Sequence, residues 1–204
     1  YSWERKKMKK KIYIMCWPWN ENAGGNIVLH KVCDLLRQKG CNAYLYPSDY
    51  GNFRHRETLI KTLYNRLRAW REALESIKVS RLTYYYCKFN NPNFNTPICH
   101  WLTNVLLFFR QRLSKNIIMV YPEVSSGNPA NAKNIVRLIM HIPGYHTGVV
   151  NYGEGELYFL YNQKFGQGFV PPMNSKISPH TTPIFTIPEV YKLTHKECKR
   201  EGTA

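Results

Sequence analysis

Three short stretches carry residue types whose placement could do chemistry. The first is C-W-P-W-N-E-N-A-G-G, residues 16–25. A glycine pair directly before a helix lets backbone N–H groups approach an anion, and the helix N-terminus adds a favourable dipole. Gly24, Gly25 and the following Asn26 are therefore candidates for holding a phosphate group. The stretch is neither G-x-G-x-x-G nor a Walker loop, so its pattern alone fits a plain tight turn just as well. The second stretch is P-E-V-S-S-G-N-P, residues 122–129. Glu123 directly follows an apolar run, where its carboxylate could accept a hydroxyl or a proton. The plainer alternative has Ser126 or Asn128 capping a helix start and Glu123 merely solvated. The third is Y-G-E-G-E, residues 152–156. Paired acids suggest acid/base or metal chemistry, but a turn followed by an edge-strand charge is commoner.

Other site chemistries lack their patterns. The seven histidines (30, 55, 100, 141, 146, 180 and 195) are isolated in sequence, and no H-E-x-x-H spacing occurs. No metal site is therefore expected. There is no G-x-S-x-G nucleophile elbow. The six cysteines form no C-x-x-C pair, so free thiols in a reducing cytoplasm are expected.

The elements that must position these residues follow from hydrophobic periodicity. Residues 12–15 (I-Y-I-M) read as a strand, and the glycine loop follows. Residues 26–39 carry Ile27, Val28, Val32, Leu35 and Leu36 at helical spacing, with Gly40 where a C-terminal cap belongs. Residues 43–46 (A-Y-L-Y) read as a second strand. Strand, glycine loop, helix and strand make one βαβ unit, which implies a parallel sheet. Residues 58–78 predict an amphipathic helix with a basic outer face, 82–89 an extended segment, and 101–113 another helix. Residues 117–121 (I-I-M-V-Y) predict a buried strand, 130–141 a helix stopped by Pro143-Gly144, 156–161 a strand, and 183–187 a last short strand. The fold class is thus α/β, a Rossmann-like parallel sheet flanked by helices.

With 44% hydrophobic and 14% aromatic residues, the 204-residue chain can build a sizeable core. No apolar run reaches the roughly 18 to 20 residues a membrane span needs. The formal charge of +16 speaks to partners: nucleic acid, an anionic membrane surface or phosphate-bearing ligands. The basic helix lacks a base-stacking motif, which disfavours nucleic acid. It suits peripheral contact with anionic lipid.

Residues 10–47 (K-K-I-Y-I-M-C-W-P-W-N-E-N-A-G-G-N-I-V-L-H-K…) resemble the opening of GT-B glycosyltransferases of the retaining, glycogen-synthase-like kind. The resemblance lies in Gly24-Gly25, Leu29-His30 and Gly40. Residues 120–144 (V-Y-P-E-V-S-S-G-N-P-A-N-A-K-N-I-V-R-L-I-M-H-I-P-G) and 152–161 (Y-G-E-G-E-L-Y-F-L-Y) are similar to a subgroup of the same enzymes, and Pro-Glu…Ser-Gly-Asn-Pro is the most specific part. The similarity implies the N-terminal, acceptor-side domain of a two-domain hexosyltransferase of the GT-B fold. It implies a nucleotide-sugar donor, a glycan or lipid acceptor, and no metal or other cofactor; the free thiols add the expectation of a cytoplasmic protein, and the basic helix that of peripheral membrane contact. Carried over, Gly24, Gly25 and Asn26 lie near the donor diphosphate. Glu123, Asn128, Tyr152, Gly153 and Glu154 face the cleft on the acceptor side, with Glu123 the catalytic candidate.

The domain plan is then a basic extension at 1–11, a Rossmann-like domain at 12–190 with an insertion at about 48–114, and a tail at 191–204 leading to a C-terminal domain. Neither a second Rossmann unit nor the Glu-x7-Glu pair of that C-terminal domain occurs in these residues. Little or no transfer is therefore expected from the chain alone. The alternatives are a non-catalytic α/β binding module, or a basic protein of nucleic-acid or membrane surfaces.

Overall fold

The computed structural model describes residues 10–47, 94, 96–99 and 116–184. The helices expected at 58–78 and 101–113, the extended segment at 82–89, the terminal extension and the 191–204 tail all lie outside these residues.

The described chain runs β1 (Lys11–Cys16), α1 (Gly24–Gln38), β2 (Asn42–Pro47), β3 (Ile117–Pro122), β4 (Asn134–Ile139), β5 (Leu157–Leu160) and β6 (Lys176–Ile177). The six strands form one sheet in the order β2-β1-β3-β4-β5-β6, and every pairing is parallel. Ile98 adds a parallel bridge to Leu45 on the outer side of β2. The Leu45 N–H donates to Pro97 O at 2.9 Å and the Cys99 N–H to Leu45 O at 2.8 Å. This is a Rossmann-like α/β fold. The chain leaves β1 on one side for β2 and returns on the other with β3. In open parallel sheets that reversal opens a ligand crevice beyond the carboxyl ends of the strands.

Side chains alternate across each strand, so the two sheet faces have separate cores. Ile14, Cys16, Ala43, Leu45, Val120 and Leu138 pack with Val28, Leu29 and Cys33 of α1 on one face. Tyr13, Met15, Tyr46, Met119 and Tyr121 occupy the other, covered in part by Ala130 and Ala132 from the β3–β4 connection. Parallel strands buried on both faces read as nearly unbroken apolar runs, which is what I-Y-I-M and I-I-M-V-Y are. Cys16, Cys33, Cys41 and Cys99 are free thiols. Burial, the largest cause, pushes the Cys33 thiol up to about 12.

Helix α1 ends as its sequence suggests. The Gly40 N–H bonds Arg37 O at 2.8 Å and the Cys41 N–H bonds Leu36 O at 2.9 Å, with Gly40 at φ +78°. This is a Schellman cap. Gly40→Ala meets no atom within 4 Å but must keep that left-handed backbone. We expect it to destabilise the protein by about 1 kcal/mol in urea unfolding.

The structure corrects the helix expected at 130–141. Its apolar positions are Ile135, Val136, Leu138 and Ile139, which also fit a short buried strand, and that strand is β4. Pro129 and the left-handed Asn131 (φ 53°) lie in a turn that leaves β4 only residues 134–139. Of the strand expected at 183–187, Pro183 and Ile184 are irregular and the rest lies outside the described residues. The strand β6 at Lys176–Ile177 was not legible, because two exposed residues carry no periodicity.

Candidate functional site

The loop after β1 is held by α1 itself. Asn26 and His30, one turn apart on the helix, reach back to it. The Asn26 Nδ2 donates to Pro18 O at 2.5 Å, and the His30 Nε2 lies 3.3 Å from Trp17 O. Both residues are buried, at 6% and 0% exposure. Burial, the larger cause, lowers the His30 pKa against the opposing pull of the Trp17 carbonyl. Trp19 meets the His30 ring edge-on at 5.1 Å. The Asn26 Oδ1 is buried without a hydrogen-bond partner.

This arrangement leaves the start of α1 open. The residue before it, Ala23, offers no side-chain cap, and no acid lies in the first turn. The leading N–H groups of a helix lack partners inside the helix and carry about half a positive charge between them. A Cβ on Gly24 would meet nothing within 4 Å, and one on Gly25 only Met140 Cε at 3.7 Å. The glycines are therefore not demanded by packing, and a ligand can approach the backbone here.

Met140, directly beyond β4, links this loop to Glu123, directly beyond β3. The Met140 N–H donates to Glu123 Oε2 at 3.3 Å. Glu123 is only 7% exposed. Burial, the largest cause, raises its pKa, while its own N–H, that of Met140, and the nearby His146 and His141 pull it down. The carboxylate thus stands at the carboxyl edge of β3 as expected, but buried rather than solvated. Because the raised pKa means that the folded state binds the proton more tightly than the unfolded chain, stability falls as pH rises from the ordinary carboxylate range through the folded value. Glu123→Gln is therefore expected to be more stable than the parent at pH 7, with the gain shrinking as pH falls, read from urea midpoints across pH. A constant difference at every pH would contradict it.

The other candidates are only partly brought together. Asn128 is built into its own loop: its Oδ1 accepts from the Tyr121 hydroxyl and the Ala132 N–H, both at 2.9 Å, and its Nδ2 donates to Ala132 O at 2.8 Å. No helix starts there, so neither Ser126 nor Asn128 is a helix cap. The Tyr152 hydroxyl donates to Glu123 O at 2.7 Å, which ties the 152–156 turn to the β3 edge. Gly153 and Glu154 sit before the amino end of β5, where the Gly153 N–H donates to Glu156 Oε1 at 2.9 Å and Glu154 is exposed.

Glu156 is no edge-strand charge. It is 1% exposed and pairs with the fully buried Arg137. Arg137 Nε donates to Glu156 Oε2 at 2.7 Å and Nη2 to Oε1 at 2.9 Å. Nη1 also donates to Ser125 O, and Nη2 to Gly127 O at 2.9 Å. The Tyr152 ring lies 4.1 Å from the guanidinium and the Tyr121 ring 5.5 Å. This pair fastens the loop that carries Glu123 to the turn that carries Tyr152. Sequence reasoning missed Arg137 because residues 130–141 were read as a helix by their apolar positions alone; a lone arginine inside N-I-V-R-L-I was the available signal.

It also missed a ring cluster beside Glu123. His141 lies 4.4 Å from Tyr145, 4.9 Å from His146 and 5.4 Å from Phe165, ring centre to centre. The sequence showed the two histidines only as neighbours of Pro143-Gly144. Among the described residues no group of three histidine, cysteine or acidic side chains is placed to hold a metal ion. Nor is any described helix long and apolar enough to cross a membrane. Compared with models of protein families, with curated proteins and with solved structures, the chain matches none.

Proposed function

We propose that this chain is the acceptor-side domain of a glycosyltransferase that uses a nucleotide-sugar donor. One observation carries the reading: the uncapped start of α1 at Gly24–Gly25 and the buried carboxylate of Glu123 meet, through Met140, at the carboxyl edge of a parallel sheet where the strand order reverses. Helix N–H groups suit the growing negative charge of a departing diphosphate, and they need no reorganisation to receive it. Glu123 suits an acceptor hydroxyl, either orienting it by hydrogen bonding or receiving its proton. A raised pKa brings a carboxyl closer to the pH at which it can do both. The Tyr152 hydroxyl, donating to Glu123 O, holds the Glu123 backbone in place. On this reading Asn128 and Gly153, which bond within their own loops, shape those loops rather than touch ligand. Full transfer needs donors from the facing side of a cleft, so the domain works with a nucleotide-binding partner domain, without a metal, in the cytoplasm or against its membrane.

The test is a titration of the protein with a nucleoside diphosphate, followed by backbone amide NMR. The expected result is saturable shifts at Gly24, Gly25 and Asn26, with smaller ones at Glu123 and Met140. Absence of any saturable shift at these amides would overturn the reading and favour a binding module of another kind.

A further inference from the structure

Glu123 does not stand alone at its edge, and its surroundings narrow the acceptor. The chain leaving β4 places His141, Tyr145 and His146 in a cluster of rings. Phe165 lies nearly parallel to His141, with 23° between the planes, and Tyr145 meets His146 at 88°. Phe165 in turn stacks on Tyr161, just beyond β5. The cluster is therefore anchored from two strand ends, yet its outer member is bare: Tyr145 is 68% exposed, and His146 is exposed as well. Tyr145 thus offers ring area to solvent beside His141 and His146.

Two polar features adjoin that surface. One is the buried carboxylate of Glu123, whose Oε2 accepts from the N–H of Met140, the residue directly before His141, at 3.3 Å. The other is His141 Nδ1, which is buried and has no hydrogen-bond partner. Buried polar atoms are nearly always partnered, so this nitrogen is hydrogen-bonding capacity that the protein itself leaves unused. An imidazole nitrogen accepts or donates according to its tautomer, and a hydroxyl can do either in return.

We propose that Tyr145, His141 and Glu123, with His146 at the margin, form a subsite for a pyranose ring of the acceptor. A pyranose offers a face of C–H groups, which suits an aromatic ring, and a rim of hydroxyls, which suits a carboxylate and an imidazole. Apolar area with a few convergent polar groups is the usual make-up of a small-molecule site. An acyl chain is a poor occupant, because it would cover Glu123 and His141 Nδ1 without a hydrogen bond to either. The site adjoins the start of α1 through Met140, so a sugar bound here sits next to the diphosphate end of a donor. The inference rests on the glycosyltransferase reading for the word acceptor; the sugar-binding site stands on its own geometry.

The experiment follows the histidine and tyrosine ring signals of the whole chain by carbon–proton NMR while methyl glycosides of glucose, galactose, mannose and N-acetylglucosamine are added in turn. Glycerol, which has hydroxyls but no ring face, is the control. At least one glycoside is expected to shift His141 and Tyr145 saturably, and glycerol not to. Tyr145→Ala, at a position 68% exposed, is expected to weaken that glycoside at least tenfold, and Glu123→Gln to weaken it by a similar factor, each with an unfolding midpoint near that of the parent or above it. Val170→Ser, at an 85% exposed position outside the cluster, is expected to bind as the parent does. No response to any glycoside, or full binding by Tyr145→Ala, overturns the subsite. The two proposals fail separately. A diphosphate response without a glycoside response removes the subsite and keeps the function. A glycoside response without a diphosphate response keeps a sugar site and removes the transferase.

Discussion

Glu156→Ala is expected to destabilise the protein by about 3 to 5 kcal/mol, the usual effect of removing one partner from a buried ion pair. Both side chains are fully buried, and their shortest contact is 2.7 Å. The loss exceeds the worth of the pair, because the guanidinium of Arg137 would stay in the interior without a counter-charge. The Gly153 N–H and two guanidinium donors would lose their acceptor together. Against a typical total of 5 to 15 kcal/mol, such a loss brings the protein close to unfolding at 37 °C. Removing both charges should be less harmful than removing one. The double replacement Arg137→Met with Glu156→Leu is expected to recover a large part of the loss, though Ser125 O and Gly127 O are then left without the arginine. Urea unfolding at pH 7 reads both effects. A single variant within about 0.5 kcal/mol of the parent, as surface changes are, would show that the pair is not buried in solution.

Gly25→Ala is expected to separate function from stability. The added methyl meets only Met140 Cε at 3.7 Å, an ordinary contact. Alanine is also the better helix residue, so stability should hold or rise by about 0.5 to 1 kcal/mol. Binding of a nucleoside diphosphate should fall about tenfold, or about 1.4 kcal/mol, because the methyl occupies space next to the backbone N–H groups. Unfolding midpoints and a binding isotherm on the same preparation measure both. Unchanged affinity would place the diphosphate elsewhere, and lost stability would mean that the glycine serves the fold after all.

The parts legible in the sequence were those with a local cause. β1, α1 and β2 follow from I-Y-I-M, the helical spacing of residues 27–36, the Gly40 cap and A-Y-L-Y, and each came out within a residue or two. The place of Glu123 was legible for a similar reason: it directly follows an apolar strand, which sets it at the carboxyl end of β3. β4 was misread because residues 134–139 are too short for periodicity to separate a strand from a buried helical turn. Pro129 and Asn131 carried the information, but only through a loop conformation that depends on Asn128, Tyr121 and Ala132 meeting in space. Arg137 and Glu156 were opaque for another reason. Each is an ordinary surface residue until the other, 19 positions away, comes within hydrogen-bond distance. The ring cluster beside Glu123 joins His141 and Tyr145 to Phe165 from a separate connection, so no window of sequence contains it.

If ligand chemistry takes place at the carboxyl edge of the sheet, where β1, β3 and β4 end, a bound nucleotide lies against that edge. Photoaffinity labelling with an azido-substituted nucleoside diphosphate, followed by peptide mapping, tests it most directly. Label is expected in the peptides holding Trp17 to Asn26 and Pro122 to Ser125, suppressed by unmodified nucleoside diphosphate. Label confined to peptides away from that edge, such as Val170 to Ile177, or label that unmodified diphosphate does not displace, would contradict it.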